Sequence, residues 1–243
     1  KNFIDHILLL FSFEKKFFEK ENISCEFVGH PLLQNKERGK IDINQIIGKN
    51  KALISVFPGS RKSEITVLMP ILLEFIKLMN KKYTDMTYVF HSTIEYSAFI
   101  KTFINKSKLN NCEIISDNKI KAHILHKSIF AVAKSGTVSL EICNSKIPSI
   151  ILYKMNFLNF LIVKSLVKTK YANIINFAAN EEIIPELLQS NCSAKNIFKN
   201  VSFFLENPNK MNEQVKKVQN ILNELKINGS SSELSSLSLN KFL

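Results

Sequence analysis

The sequence contains no tryptophan, and glycine and proline each occur only six times in 243 residues. A chain so poor in both is neither collagen-like nor a low-complexity linker, and hydrophobic residues at 45% commit it to a packed core. The four cysteines, Cys25, Cys112, Cys143 and Cys192, form no C-x-x-C pair. That spacing argues against a zinc knuckle or a disulfide framework and for a reduced, cytoplasmic setting. Long apolar runs are also missing: Met155 to Val163 falls well short of the roughly 20 residues a membrane-spanning helix requires. No secretory signal is expected at the start, where Asp5 and His6 precede a short apolar run closed by Ser12 and Glu14. Acidic residues are in the minority, 21 against 33 Lys and Arg, for a formal charge of +12. Such an excess attracts phosphates of any kind, but heavy use of Lys, Ile, Asn and Phe makes it permissive rather than selective. The lysines are scattered over many segments instead of alternating with aromatics on one face, so no nucleic-acid partner is expected.

What the chain does have is a regular alternation of short apolar runs and helical patterns. Residues Ile7 to Phe11 and Cys25 to Val28 read as strands around a short helix from Glu14 to Lys20. Strand Ala52 to Phe57 precedes a helix from about Ser63, with Ile65, Leu68, Met69, Leu72, Ile76 and Met79 on one face and a kink, or the end of its first turns, expected at Pro70. Strands Thr87 to Phe90, Glu113 to Ile115, Ile129 to Ala133 and Ser149 to Leu152 follow, separated by helices Ile94 to Ile104, Ile120 to Leu125 and Thr137 to Cys143. Such alternation predicts a Rossmann-like α/β fold, a parallel sheet with helices on both faces. After Asn173 the pattern turns helical, at Pro185 to Gln189, Ala194 to Leu205 and Met211 to Leu225, and the serine-rich end from Gly229 is expected to fray.

Two strand-to-helix turns carry the chemistry. In ALISVFPGSRKSE, Ala52 to Glu64, a strand runs into a Pro-Gly turn, a hydroxyl and an arginine. The first backbone N–H groups of a helix point at one spot, which suits a phosphate, and Arg61 adds a planar cation beside Gly59 and Ser60. An ordinary connection with a surface arginine satisfies that segment equally well. In IFAVAKSGTVSLE, Ile129 to Glu141, a second strand breaks at Lys134, Ser135 and Gly136 before Thr137 opens a helix, with Glu141 one turn on. Ligands of open α/β sheets collect outside the carboxyl ends of the strands, so two such turns together favour a diphosphate site.

FVGHPL at Phe27 to Leu32, FPGSRKSEI at Phe57 to Ile65, SGTVSLE at Ser135 to Glu141, LYK at Leu152 to Lys154 and NIINFAANEEIIPELLQ at Asn173 to Gln189 stand in an order and spacing that resemble the lipid-A-disaccharide synthase family. The resemblance covers nearly the whole chain to about residue 225. It implies the carboxy-terminal nucleotide-sugar domain of a two-domain GT-B glycosyltransferase: residues 1–34 ending the acceptor domain and hinge, 35–228 binding the UDP-sugar, and 229–243 a flexible tail. The reaction implied joins UDP-2,3-diacylglucosamine to 2,3-diacylglucosamine 1-phosphate, releasing UDP, at the inner face of the cytoplasmic membrane of Gram-negative bacteria. The family's amino-terminal domain, expected to supply the catalytic carboxylate, has no counterpart here, which implies a truncated, split or decayed gene. The partner would then be a separate amino-terminal half or a second copy. The family has Pro at Ser12 and Gly at Asn180, the latter a mild change because Asn tolerates a left-handed backbone.

By the same resemblance Gly59, Ser60, Arg61, Glu64, Ser135, Gly136, Thr137 and Glu141 would bind UDP. Arg61 and the N–H groups of Gly136 and Thr137 would meet the diphosphate, Ser60 and Ser135 would donate hydroxyls, and Glu141 would accept from the ribose. Glu64 could instead serve only its own helix start. Lys154, Asn173, Asn176, Glu186 and Gln189 would border the sugar or the uracil, structural capping being an equal account of the asparagines. His30 and Pro31 would form the hinge, or an ordinary turn. No cofactor and no metal are expected, since His123 and His126 have no third ligand nearby. The basic, apolar segment Met155 to Lys170 would lie on an anionic membrane surface or pack against the other domain. The rival readings are another UDP-sugar transferase or 2-epimerase, and a UDP-sugar-binding remnant without turnover.

Overall fold

The computed structural model describes residues 3–34, 52–155 and 169–241. The chain forms two compact units, one comprising Lys1–Glu37 with Gln219–Leu243 and the other Arg38–Val218.

In the larger unit six strands make one parallel sheet: β3 (Ala52–Phe57), β4 (Met86–His91), β5 (Cys112–Ile115), β6 (Ser128–Lys134), β7 (Ser149–Tyr153) and β8 (Glu186–Leu188). Their spatial order is β5-β4-β3-β6-β7-β8. Period-two alternation assigns the faces. On β3, Ile54 and Val56 join the main core, whereas Leu53 packs with Val89 and Ile124 on the opposite side. The main core is closed by α2 (Lys62–Asn80), α3 (Ile94–Ser107) and α7 (Ala194–Glu206), and the other face by α4 (Asn118–Lys127). The six apolar positions expected on one face of α2 are all fully buried, and Ile197, Val201 and Phe204 of α7 complete the layer. Helices therefore cover both faces, as the strand-helix alternation predicts.

Two features depart from the sequence reading. Helix α2 continues through Pro70, so the proline does not end its first turns, and its apolar stripe is anchored in the core on both sides. The segment read as helical at Pro185 to Gln189 is the edge strand β8, paired in parallel with β7. Three residues are too few to show a period, and here tertiary pairing decides. Pro185 still contributes, since its carbonyl accepts from the Ile151 N–H at 2.9 Å. Asn180, standing where the resemblance has glycine, caps α6 (Ile174–Ala179) in the left-handed region at φ 50°.

The smaller unit pairs β1 (His6–Leu9) with β2 (Ser24–Phe27) in parallel, joined through α1 (Lys15–Glu19). His30 caps the short 3-10 turn Pro31–Leu33, its Nδ1 accepting from the Leu32 N–H at 3.1 Å, and burial lowers its pKa. Helix α8 (Pro208–Leu225) contributes to both units. The serine-rich end forms α9 (Ser231–Leu239), where buried Ser238 donates to Glu26 at 2.6 Å. The segment 156–168, at the centre of the membrane reading, lies outside the described residues. No helix among those described is long and apolar enough to cross a membrane.

Asn180→Gly is expected to raise the unfolding free energy by up to about 1 kcal/mol and Asn180→Val to lower it by about 1–2 kcal/mol, because only the side chain's tolerance of positive φ changes. Urea denaturation of the two variants measures both.

Candidate functional site

The strand order places a site before any side chain is considered. From β3 the chain moves outward to β4 and β5, then returns across β3 to lay β6 on its other side. The reversal falls between β3 and β6, and a crevice opens beyond the carboxyl ends of the strands at such a switch point. A cavity of about 240 Å³ lies there. Its walls come from the loops after β3, β4 and β6 and the starts of α4 and α5 (Val138–Asn144).

The two glycine-containing turns converge on this cavity: Gly59, Ser60 and Glu64 line it from one side, and Ser135, Gly136, Thr137 and Glu141 from the other. Their internal chemistry differs from the expectation in three places. First, two amides of the β3–α2 turn, those of Ser60 and Arg61, are already bonded within the chain. Glu64, at the third position of α2, turns back so that its carboxylate accepts from the Ser60 N–H at 3.1 Å and from the Arg61 N–H, the side-chain half of a capping box. The same carboxylate pairs with Lys134 at 2.9 Å, and Arg61 stands 3.8 Å away. Burial works to raise the Glu64 pKa, but the Lys134 hydrogen bond and the two backbone N–H groups outweigh it and hold it below the usual carboxylate range.

Second, Gly59 serves that carboxylate rather than a ligand. It has φ +115°, and a Cβ there would lie 2.6 Å from Glu64 Oε2. Gly136, by contrast, faces open space. Third, the Ser135 hydroxyl is already committed, donating to the Ala172 carbonyl at 2.8 Å. The Ser135 N–H goes to Leu152, and the first bonds into the next helix run from Ser139 to Gly136 and from Leu140 to Thr137. The N–H groups of residues 136 to 138 therefore precede the bonding of α5, the position from which helix starts meet anions. Arg61 is 80% exposed and is not among the residues lining the cavity.

The residues of the last motif are brought together, but as a scaffold beside the cavity. Fully buried Asn176 accepts from the Ile183 and Ile184 N–H groups at 2.9 Å each and donates to Ile184 O and Glu186, both at 2.7 Å. Glu186 accepts in turn from the Ala172 and Asn173 N–H groups at 2.7 and 3.0 Å. Asn173 caps α6 through the Ile175 N–H. This network fixes Ala172, and Ala172 holds Ser135. Gln189 accepts from the Met155 N–H at 3.3 Å, and Lys154 donates to Cys192 O at 3.3 Å. The amide nitrogens of Asn173 and Gln189 are buried without a partner among the described residues.

Several lining residues escaped sequence reasoning, among them His91, Thr93, Asn118 and Lys121, while the sequence marks Lys134 only as part of its turn. His91 and Thr93 follow from the same rule as the two turns, since they end and follow β4, the other neighbour of β3; that strand carries no glycine to mark it. His91 stacks on Phe57 with ring centres 4.2 Å apart, and its Nε2 is 2.9 Å from the Ser55 hydroxyl. Burial, aided by the Lys121 charge, pushes its pKa down to about 3, so the imidazole is neutral. Lys121 of α4 pairs with Glu141 of α5 at 2.7 Å. The described lining thus carries two cations, Lys121 and Lys134, against two carboxylates, Glu64 and Glu141, and its formal charge cancels.

Fold and site together define an open parallel α/β domain with its cleft at the topological switch point. Solved structures share that fold. S. aureus MnaA in its UDP co-structure superposes with TM-score 0.59 at 13% identity, over 93% of this chain and 62% of that one. A glycosyltransferase from Rickettsia africae ESF-5 gives 0.58 at 14%, over 98% and 63%. The family model described as lipid-A-disaccharide synthetase matches residues 1–239, and the chain belongs to that family. The lipid-A-disaccharide synthase of Rickettsia prowazekii is 35% identical over 225 residues, and that of Rickettsia typhi 34% over 226. The alignments take in 91% of this chain but 58% and 59% of those relatives, so the chain spans somewhat less than three fifths of their length.

Glu64→Gln is expected to lower the unfolding free energy at neutral pH by about 1–3 kcal/mol, because a hydrogen-bonded charge is lost from a site where the residue's side chain is only 14% exposed. The depressed pKa gives the sign: the stabilisation is complete above the unfolded carboxylate's pKa and disappears as pH falls through the folded one. Denaturation curves of both proteins from pH 7 down to pH 3 should therefore converge.

Proposed function

We propose that this chain forms the UDP-sugar-binding portion of a lipid-A-disaccharide synthase. That enzyme would be a hexosyltransferase joining UDP-2,3-diacylglucosamine to 2,3-diacylglucosamine 1-phosphate, with lipid A disaccharide 1-phosphate and UDP as products. The observation that carries the reading is the convergence of the PGSR and SGT turns on one switch-point cavity in a chain of this family. Neighbours in fold add support: MnaA was solved with UDP.

Glycosyl transfer requires the departing diphosphate to be stabilised as its bond to the sugar breaks. With the Ser60 and Arg61 amides taken by Glu64, the donors for that diphosphate are the N–H groups of Gly136 and Thr137, the hydroxyls of Thr137 and Ser60, and the guanidinium of Arg61. Glu64 acts indirectly, holding Lys134 at the edge of the anion's place. Glu141 accepts from the ribose. Asn173, Asn176 and Glu186 act through Ala172, keeping the SGT turn in shape, while Lys154 and Gln189 stand on the sugar side.

The catalytic base lies, on this reading, in the part of the relatives' length that the chain does not span, supplied by a separate amino-terminal half or by a partner copy. His30 and Pro31 would mark the hinge to it. The lipid substrates place the enzyme peripherally on the inner face of the cytoplasmic membrane, where segment 155–170 would meet anionic headgroups. A UDP-sugar-binding chain without turnover of its own is the second reading, in keeping with a cavity whose described lining offers nucleotide contacts.

Arg61→Ala is expected to weaken UDP binding by about 1.5–3 kcal/mol and Ser60→Ala by about 1 kcal/mol, since a charged donor contributes more than a neutral one. Titration calorimetry decides, and unchanged affinity in Arg61→Ala would remove the guanidinium from the site. Purified chain should release UDP from the diacyl donor only when mixed with an amino-terminal half of the family; release by the chain alone would overturn the division of labour.

A further inference from the structure

Lys121 has no place in either turn motif, yet it is the residue that fixes the carboxylate on the far wall of the cavity. It comes from α4, whereas Glu141 comes from α5, so their 2.7 Å contact ties together two helices that start at different strand ends. Both line the cavity, and their side chains are only 21% and 25% exposed. Two long side chains held in one geometry usually gain little on an open surface, where water competes. Here the walls exclude much of that water, and the ammonium takes Glu141 Oε2 in particular. An ionised carboxylate has about four lone-pair sites, so the contact leaves Oε1 and the remainder of Oε2 to accept further donors from the cavity. It also favours the orientation in which the carboxylate faces the cavity.

We infer that Lys121 is a positioning residue for nucleotide selection: by holding the Glu141 carboxylate it makes the cavity select a ligand with a vicinal diol, the ribose of a nucleoside diphosphate, over its deoxy counterpart. The inference rests on the proposed UDP reading and adds the residue that gives that reading its preference for ribose. It also separates two functions among cations of like charge. Lys134 is bound to the PGSR turn through Glu64, Lys121 to the ribose side through Glu141, and loss of each should affect a different part of the ligand.

The test compares UDP with 2′,3′-dideoxy-UDP by titration calorimetry on the full chain. Wild type should prefer UDP by roughly tenfold or more, the worth of hydrogen bonds to a charged acceptor. In Lys121→Met the preference should collapse towards unity while affinity for the dideoxy nucleotide stays unchanged, and Lys121→Arg should restore it. Since the readout is a ratio within one protein, partial unfolding of a variant does not mimic the effect. If Lys121→Met weakens both nucleotides equally, Lys121 contacts phosphate and the inference is overturned; an unaltered preference for UDP overturns it as well. Failure of wild type to bind either nucleotide would overturn the UDP reading itself, an outcome distinct from UDP binding with an unaltered ratio.

Discussion

The turned-back carboxylate of Glu64 is the contact on which the site depends. One side chain satisfies the amides of the PGSR turn, ties that turn across the sheet to Lys134 on β6, and stands close to Arg61. Gly59 is glycine because this carboxylate occupies the place where its Cβ would be. Strands β3 and β6 are neighbours through backbone bonding and the buried Ser55–Ser128 hydroxyl contact, and this ion pair further joins the end of β6 to the helix that follows β3. At this helix start the protein's own carboxylate takes the Ser60 and Arg61 N–H groups that an anion would otherwise meet.

That other turn is supported from behind. Ser135 reaches Ala172, Ala172 is held by Glu186, and Glu186 is held by Asn176. Residues that the motif alone would place against a sugar are thus linked to the cavity at one remove, through backbone they position. The geometry of the SGT turn is set partly by an edge strand and a short helix that come much later in the chain.

Much of the fold could be read in the chain, because helices of ten residues or more and buried strands impose distinct periods. The stripe on α2 and the alternating faces of β3 are the clearest cases. β8 was not legible: three residues after a proline have no period, and only pairing with β7 makes them a strand. Both turns were legible from glycine and hydroxyl spacing, whereas their wiring was not. Nothing in GSRKSE tells whether a glutamate faces a ligand or its own amides, since both need the same residue at the same helix position. Lys121 and His91 were invisible for another reason. They lie on segments without a turn signature and reach the cavity only because parallel strands bring their carboxyl ends to one edge.

The cancellation of charge in the cavity has a consequence for how a ligand comes and goes. A lining with as many carboxylates as ammonium groups projects little field beyond a Debye length, so the excess of basic residues elsewhere on the chain does not become a local trap for polyanions. Grip is exerted only at hydrogen-bonding distance, on a molecule already seated. A ligand leaving the cleft therefore meets no long-range attraction from the lining to hold it back.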